Sequence, residues 1–345
     1  MNPTPSKVVK NPRANHDFLG RSCSIIAVGS YVPERILTNA DLEKLVETSD
    51  DWIVSRTGIR ERRIAAPDEF TSDLAAKAAL NAMSQGGIRP EQIDLIIVAT
   101  ITSDRGFPST ACVVQDKIGA RHAAAFDLNA ACSGFIYGLE VGMQFITSRT
   151  YETVLVIGAE KLTSIVDWTD RNTCVLFGDG AGAAILQHRP EAHGLLTACM
   201  GADGTKGDLL CLPAGGSRQP ASVATVADRL HFLRMDGKET FKNAVQAMFT
   251  AAREALRRCE LDITQIKCVI PHQANRRIID AVGDRLGVTE EQLFVNVEKY
   301  GNTSAASVAI ALDEAVRSGR IERGDLVLML VFGAGFTWAA AVIEW

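Results

Sequence analysis

No two of the eight cysteines (23, 112, 132, 174, 199, 211, 259 and 268) form a CxxC pair, and no histidines stand beside them at zinc-like spacing. That excludes the common structural zinc modules, and a chain of 345 residues is large enough to build its core without disulfide staples. A reducing cytoplasmic setting is the expectation, with no metal site. Strong charge is missing too: a formal net charge of −5 excludes whole-surface attraction to nucleic acid or to an anionic membrane. The first twenty residues are rich in Asn, Pro, Lys and Arg and hold no apolar run. They read as a flexible N-terminal extension over residues 1–20 rather than a signal peptide. One stretch, Leu326 to Ile343, has no charge, but Gly333-Ala-Gly335 interrupts it and its flanks favour β structure. It reads as two buried strands joined by a turn, not as a membrane helix.

What is present is a weak internal repeat. Ser72–Gly86, then Ile88-Arg-Pro-Glu-Gln-Ile and Asp94-Leu-Ile-Ile-Val-Ala-Thr, parallels Val245–Cys259, then Asp262-Ile-Thr-Gln-Ile and Lys267-Cys-Val-Ile-Pro-His. Each reads as amphipathic helix, short loop and buried strand. About thirty residues on, each half offers a strand, a small-residue turn and a helix, around Phe126–Cys132 and Phe294–Asn302. A further buried strand follows each, Thr153–Gly158 and Leu326–Phe332. Nearly continuous apolar strands are covered on both faces. The pattern predicts an α/β/α/β/α five-layered sandwich of two pseudo-symmetric halves, 21–190 and 191–345, with the two central helices back to back.

The stretch Ala124–Glu140 runs from a strand through small residues into a helix expected to begin at Cys132. A thiol at a helix start is favoured as thiolate by the unpaired N–H groups and the helix dipole, which makes Cys132 a candidate nucleophile. Gly134, Gly138 and Gly142 form a ridge expected to admit a neighbouring helix. A nucleophilic cysteine needs a histidine and an amide or carboxylate brought near by the fold. His272 ends a buried strand, where open α/β sheets hold their reactive groups, and Asn302 stands at the corresponding helix start of the second half. Gly178-Asp-Gly-Ala-Gly and Gly333-Ala-Gly read as tight connections between strands, since neither passes from strand to helix as a dinucleotide loop does.

Seven motifs carry a specific resemblance: Asp51-Trp-Ile-Val-Ser-Arg-Thr-Gly-Ile-Arg, Phe107-Pro-Ser-Thr-Ala-Cys, Asn129-Ala-Ala-Cys-Ser-Gly-Phe, Phe177-Gly-Asp-Gly-Ala-Gly-Ala, Pro271-His-Gln-Ala-Asn, Gly301-Asn-Thr-Ser-Ala-Ala-Ser and Phe332-Gly-Ala-Gly-Phe-Thr-Trp. From about Ser22 to Trp345 the chain resembles the β-ketoacyl-acyl carrier protein synthases III, initiating condensing enzymes of the thiolase fold. The resemblance implies a catalytic triad of Cys132, His272 and Asn302, with an oxyanion held by the N–H groups of Cys132 and Ala334. It implies an acyl-CoA substrate and no cofactor, with Trp52 and Arg171 stacking on adenine, Arg56 beside them and Asn275 on the pantetheine arm. Malonyl-acyl carrier protein would be the second substrate, docked on Lys242, Arg276, Arg277 and Arg285. Phe107 would reach into the acyl pocket of a homodimer partner. Decarboxylation makes the carbanion directly, which suits a neutral Asn302. Thiolases carry a second cysteine near the C-terminal Gly-rich turn, and Phe332–Trp338 has none; an acyltransferase or a polyketide- or quinolone-type synthase of the same fold is the alternative.

Overall fold

The computed structural model describes residues 23–189 and 194–345, so the extension expected over residues 1–20 lies outside the described residues. Two sheets organise the rest. The first runs in the order β1 (Cys23–Tyr31), β5 (Gly180–His188), β4 (Thr153–Glu160), β2 (Leu95–Ala99) and β3 (Ala124–Leu128). Its β1, β5 and β4 pair antiparallel, while β4, β2 and β3 pair parallel. The second runs β6 (Leu195–Ala202), β9 (Thr337–Glu344), β8 (Leu326–Gly333) and β7 (Cys268–Pro271), with the same sequence of antiparallel and parallel pairings.

The strand expected around Phe294 shrinks to a parallel bridge between Leu293 and Val269. The physical reason is Gln273, a buried side chain that stands in for a ladder: its Nε2 donates to the Phe294 carbonyl at 3.2 Å, and its Oε1 accepts from the Asn296 N–H at 2.9 Å.

Five layers follow from alternation within the strands. In β2, Leu95 and Ile97 belong to the central core, Ile96 and Val98 to the outer one, so a strand that looks uniformly apolar serves two faces. Helices α2 (Thr71–Gly86) and α3 (Thr110–Lys117) cover the outer face of the first sheet. Helices α5 (Gly237–Arg258) and α6 (Arg276–Leu286) cover that of the second. Helix α5 starts eight residues before the expected Val245, because Asp236 caps it by accepting from the N–H groups of Lys238 and Glu239 at 3.1 Å.

Between the sheets lie α4 (Gly134–Thr147) and α7 (Ala306–Arg317). Phe135, Ile136, Leu139 and Met143 of α4 join Val308, Ala311 and Leu312 of α7 in one core. Each large side chain among them contributes about 1.5–3 kcal/mol on burial, against about 1 kcal/mol lost at each helical glycine, so packing, not propensity, holds α4 in place.

The glycine ridge of α4 departs from expectation. A Cβ on Gly138 would meet Val156 Cγ1 at 2.7 Å, and one on Gly142 would meet Leu186 Cδ1 at 2.8 Å. The ridge therefore lets α4 settle on β4 and β5; only Gly134 also faces the other central helix, at the Ala305 Cβ. Helix α7 sits equally close to the first sheet, since a Cβ on Gly158 would lie 2.3 Å from the Ala305 carbonyl oxygen and one on Gly182 2.5 Å from the Ala309 Cβ.

Candidate active site

Strand β3 ends at Leu128, and a 3₁₀ turn over Ala131–Ser133 precedes α4, so Cys132 sits in the turn before the helix rather than at its first residue. Ala131 has φ 47°, a left-handed conformation that costs a non-glycine residue about 1–2 kcal/mol. The turn is held from the second half: Thr337 Oγ1 donates to the Ala130 carbonyl at 2.9 Å and lies 3.1 Å from Ser133 Oγ. Gly333 makes room for it, because a Cβ there would lie 2.6 Å from the Cys132 backbone nitrogen.

Burial works against the thiolate that the position before the helix favours. Cys132 is 9% exposed, and burial pushes its thiol up to about 12, with the nearby Glu160 adding to the rise. A hydrogen bond from Ser304 and the cysteine's own N–H pull the other way without prevailing.

His272 follows β7 and is 4% exposed. Burial pushes its imidazole down to about 3, so the ring is neutral at physiological pH. Its Nδ1 lies 2.6 Å from Ser307 Oγ, and that oxygen also accepts from the Gln273 N–H at 3.4 Å. A hydroxyl that accepts there has its own proton free for Nδ1, which puts the ring proton on Nε2.

Asn302 is not a helix cap. Helix α7 starts four residues later, after Ala305, and Asn302 is held in a loop by a bridge to Phe177. Its Oδ1 accepts from the Ser304 N–H at 2.8 Å, which leaves the amide NH₂ as the free end of the side chain. Gly178 lies beneath this loop, where a Cβ would meet the Tyr300 carbonyl oxygen at 2.5 Å. The Gly178-Asp-Gly180 run is thus a floor for the asparagine loop, leading from the Arg171–Cys174 turn into β5; the expectation of a strand-to-strand connection holds for Gly333-Ala-Gly335 alone.

Cys132, His272 and Asn302 line one cavity of about 1010 Å³, together with Ser304 and the Gly333–Gly335 turn. Trp52 and Arg56, both on α1 (Asp50–Thr57), line it as well, with Asn275. The Arg56 and Arg171 guanidiniums lie 4.5 and 5.1 Å from the Trp52 ring centroid, and Arg171 also donates to the Glu47 carbonyl at 2.9 Å. Trp52 and Arg171, expected to stack on adenine, therefore pack on one another, with Arg56 on the same ring. Asn275 caps α6 and donates to the Arg56 carbonyl at 3.1 Å.

The four docking candidates differ in setting. Arg277 lines the cavity and stacks over Phe241 at 5.8 Å. Arg285 lies over Phe249, Lys242 is exposed on α5, and Arg276 spends its charge on Asp280 at 2.6 Å. Phe107 is outside the cavity and 87% exposed. Among the described residues no group of three or more His, Cys, Asp or Glu could hold a metal ion.

Sequence reasoning missed the residues that support the triad. Ser304 and Ser307 lie inside the motif that begins at Gly301, and the signal was their spacing from Asn302. Glu160 was legible as the one charge closing an apolar strand, Thr153-Val-Leu-Val-Ile-Gly-Ala-Glu. Phe241, Met235 and Leu210 line the cavity from segments without any motif.

Two family models match the chain, the 3-oxoacyl-[acyl-carrier-protein] synthase III model over residues 126–204 and its C-terminal counterpart over residues 256–345. The chain is 56% identical over 324 residues to a β-ketoacyl-[acyl-carrier-protein] synthase III of Caldanaerobacter subterraneus subsp. tengcongensis, covering 94% of this chain and 98% of that one. Among solved structures it is similar to the 3-oxoacyl-[acyl-carrier-protein] synthase III of Aquifex aeolicus, with a TM-score of 0.87 at 47% identity, over 94% of this chain and all of that one. It is also similar to the priming β-ketosynthase of the R1128 polyketide pathway, with a TM-score of 0.87 at 39% identity, over 94% and 96% of the two chains.

Proposed function

The chain belongs to the β-ketoacyl-[acyl-carrier-protein] synthase III family, and on that premise we propose that it condenses an acyl-CoA primer with malonyl-acyl carrier protein through an acyl group carried on Cys132. It is a condensing acyltransferase of fatty-acid biosynthesis. The observation that supports the mechanism is the shared cavity, lined by a buried thiol, a neutral imidazole and a free amide NH₂ and bordered also by Trp52 and Arg56.

In the first half-reaction Cys132 attacks the thioester, and the N–H groups of Cys132 and Ala334 hold the oxyanion. CoA lies with its adenine at Trp52 and Arg171, beside Arg56, and its pantetheine arm along Asn275. In the second half-reaction malonyl-carrier protein loses carbon dioxide, and the enolate oxygen is held by His272 Nε2–H and the Asn302 amide. The tautomer argued from Ser307 supports the first donor, and the Ser304 N–H that occupies Asn302 Oδ1 supports the second. Both donors are neutral, and no proton has to be taken from carbon.

The acidic carrier protein docks at the rim formed by Lys242, Arg276, Arg277 and Arg285, with Arg277 foremost because it borders the cavity. Arg277→Glu is expected to weaken turnover of malonyl-carrier protein while sparing acyl transfer from CoA. Phe107, a large apolar side chain left almost wholly exposed, supports a homodimer in which it enters the partner's acyl pocket. No helix among the described residues is long and apolar enough to cross a membrane, and the expected location is the cytoplasm.

Intact-mass spectrometry after mixing with acetyl-CoA tests the reading: an acetyl adduct that disappears in Cys132→Ala supports it, and a wild-type chain that binds acetyl-CoA without an adduct sinks it. The likeness to a polyketide priming ketosynthase keeps a second reading, in which the extender is borne by another carrier. Rates with a panel of acyl-CoA primers and carrier proteins separate the two.

A further inference from the structure

The largest of the fully buried side chains is a cation that the steps above leave unused. Arg62 is 0% exposed and stands on the short strand Glu61–Ile64, which pairs antiparallel with Arg35–Thr38 apart from the two main sheets. Its guanidinium meets only neutral acceptors. Nη1 donates to Asn39 Oδ1 at 2.8 Å and to the Leu37 carbonyl at 3.2 Å, and Nη2 donates to the Val175 carbonyl at 2.7 Å. Among the described residues no carboxylate is hydrogen-bonded to it, its buried Nε has no acceptor, and the adjacent Glu61 pairs with Arg63 instead. A charge held in the interior without a counter-charge is costly, and an aliphatic side chain would fill the same space at lower free energy. Packing alone does not account for an arginine here.

What the guanidinium holds leads to Asn302. Val175 opens the segment 175–178, which grips the Asn302 backbone from both sides: the Leu176 carbonyl accepts from the Asn302 N–H at 2.8 Å, and the Gly178 N–H donates to the Asn302 carbonyl at 3.1 Å. The arginine stem lies under the same loop. A Cβ on Gly178 would come within 3.0 Å of the Arg62 Cβ, and one on Gly301 within 3.4 Å. The far side of the fork is anchored in turn. Asn39 places its Nδ2 protons on the Asp50 carboxylate at 2.7 Å and the Ile59 carbonyl at 2.8 Å, which turns its Oδ1 toward Arg62. Asp50 begins α1, the helix that carries Trp52 and Arg56. The Cys132 turn is held separately, by Thr337 of β9.

We propose that Arg62 is a positioning residue for the Asn302 amide: its fork bridges Leu37 and Asn39 to Val175, and its stem supports Gly178 and Gly301, so that the segment gripping Asn302 is fixed relative to α1. The inference rests on the reading of Asn302 as a donor to the enolate in the second half-reaction. Arg62 acts through the backbone of 175–178, which carries the Asn302 backbone with it. The amide NH₂ follows, because the Ser304 N–H already holds its Oδ1. A donor displaced by about 1 Å loses up to about 10²-fold in rate. The planar fork reaches acceptors on both sides at once, whereas a lysine ammonium is a point donor at the end of an unbranched stem. Lysine would therefore keep the charge and lose the bridge.

Arg62→Lys, Asn302→Ala and the double variant of the full chain, compared in two assays, test this. One follows Cys132 acetylation by saturating acetyl-CoA through intact mass, and the other follows carbon dioxide release from malonyl-carrier protein on the acetylated enzyme. Arg62→Lys should acetylate within about twofold of the wild type and lose decarboxylation about tenfold or more. The loss should fall in kcat rather than KM, since the amide acts on the transition state. Added to Asn302→Ala, it should cost less than about a further twofold, because the amide it positions is gone. Should the Lys variant fail to fold, Arg62→Met, which keeps an unbranched stem and buries no charge, is held to the same split and the same non-additivity. Equal losses in both half-reactions, no loss in either, or losses that multiply in the double variant would overturn the positioning role and leave the Asn302 reading intact. An Asn302→Ala enzyme that decarboxylates like the wild type would overturn that reading and the inference with it.

Discussion

Two junctions, one in each half, lead into the central helices, and they are built alike but display different chemistry. Each carries a non-glycine residue in the left-handed region, Ala131 at 47° and Ser304 at 49°. Each is also pinned by the opposite half. The first, which carries Cys132, is held by Thr337 of β9, and the second, which carries Asn302, by Glu160 of β4. The difference lies in the pin, a neutral hydroxyl in one case and an ionisable carboxylate in the other. Pseudo-symmetry supplies two equivalent places to mount a side chain, and chemistry enters where the halves stop being equivalent.

Removing the displayed group should separate the two junctions most strongly. Cys132→Ala should abolish the acyl adduct, whereas Asn302→Ala should form it normally and lose condensation by about 10²–10³-fold, the effect typical of one lost oxyanion donor. Intact mass and carbon dioxide release, measured together, check it; loss of the adduct in both variants would mean the junctions do not divide the work.

Pushing on the backbone of each junction comes next. An alanine at Gly333 would press on the Cys132 nitrogen, and one at Gly158 on the Ala305 carbonyl oxygen, at 2.6 and 2.3 Å. Each should cost about 1–3 kcal/mol in urea unfolding. Gly333→Ala should slow acylation first, and Gly158→Ala should slow condensation while the adduct still forms. Identical kinetic defects would argue against separate junctions.

The ionisable pin gives a pH dependence with a definite sign. Glu160 is raised from 4.5 to about 7, so its contribution to stability is complete below pH 4.5 and is lost as pH climbs through about 7. His272 is lowered from 6.5 to about 3, so its contribution is present above pH 6.5 and is lost as pH falls toward 3. The two slopes oppose each other between pH 4.5 and 6.5. Glu160→Gln removes one of them, and its unfolding free energy should rise more steeply with pH across that window than the wild type's, by a difference on the order of 1–3 kcal/mol. Parallel calorimetric curves would contradict this.

The neutral pin should matter least. Thr337→Val gives up its hydrogen bonds at the first junction for about 1 kcal/mol, with no change in the pH dependence of acylation; a shifted pH profile would show that the two pins are not distinct in kind.

Much of this was legible from residue order. Alternation is hidden when both faces of a strand are covered, yet the apolar runs at 95–99, 153–160 and 326–333 still announced buried strands, and the repeat placed them in two matching sheets. The motifs around 132, 272 and 302 were local and so could be read locally. The short bridge at Leu293 and the direction faced by Gly138 and Gly142 were not, because each depends on a distant partner, Gln273 in the first case and the strands under α4 in the second; the early start of α5, by contrast, follows from a neighbour, the capping Asp236.

Residue order alone was enough for the layered sandwich and for the three side chains that meet in the cavity, since hydrophobic period and short motifs are properties of neighbours along the chain. The protonation states of those side chains arise in three dimensions. Position at a helix start argued for a thiolate, but desolvation by the surrounding layers and the Glu160 carboxylate at the end of β4, in the same sheet, push the thiol the other way. Burial and charge proximity come from packing between segments far apart in sequence, and no local pattern encodes them.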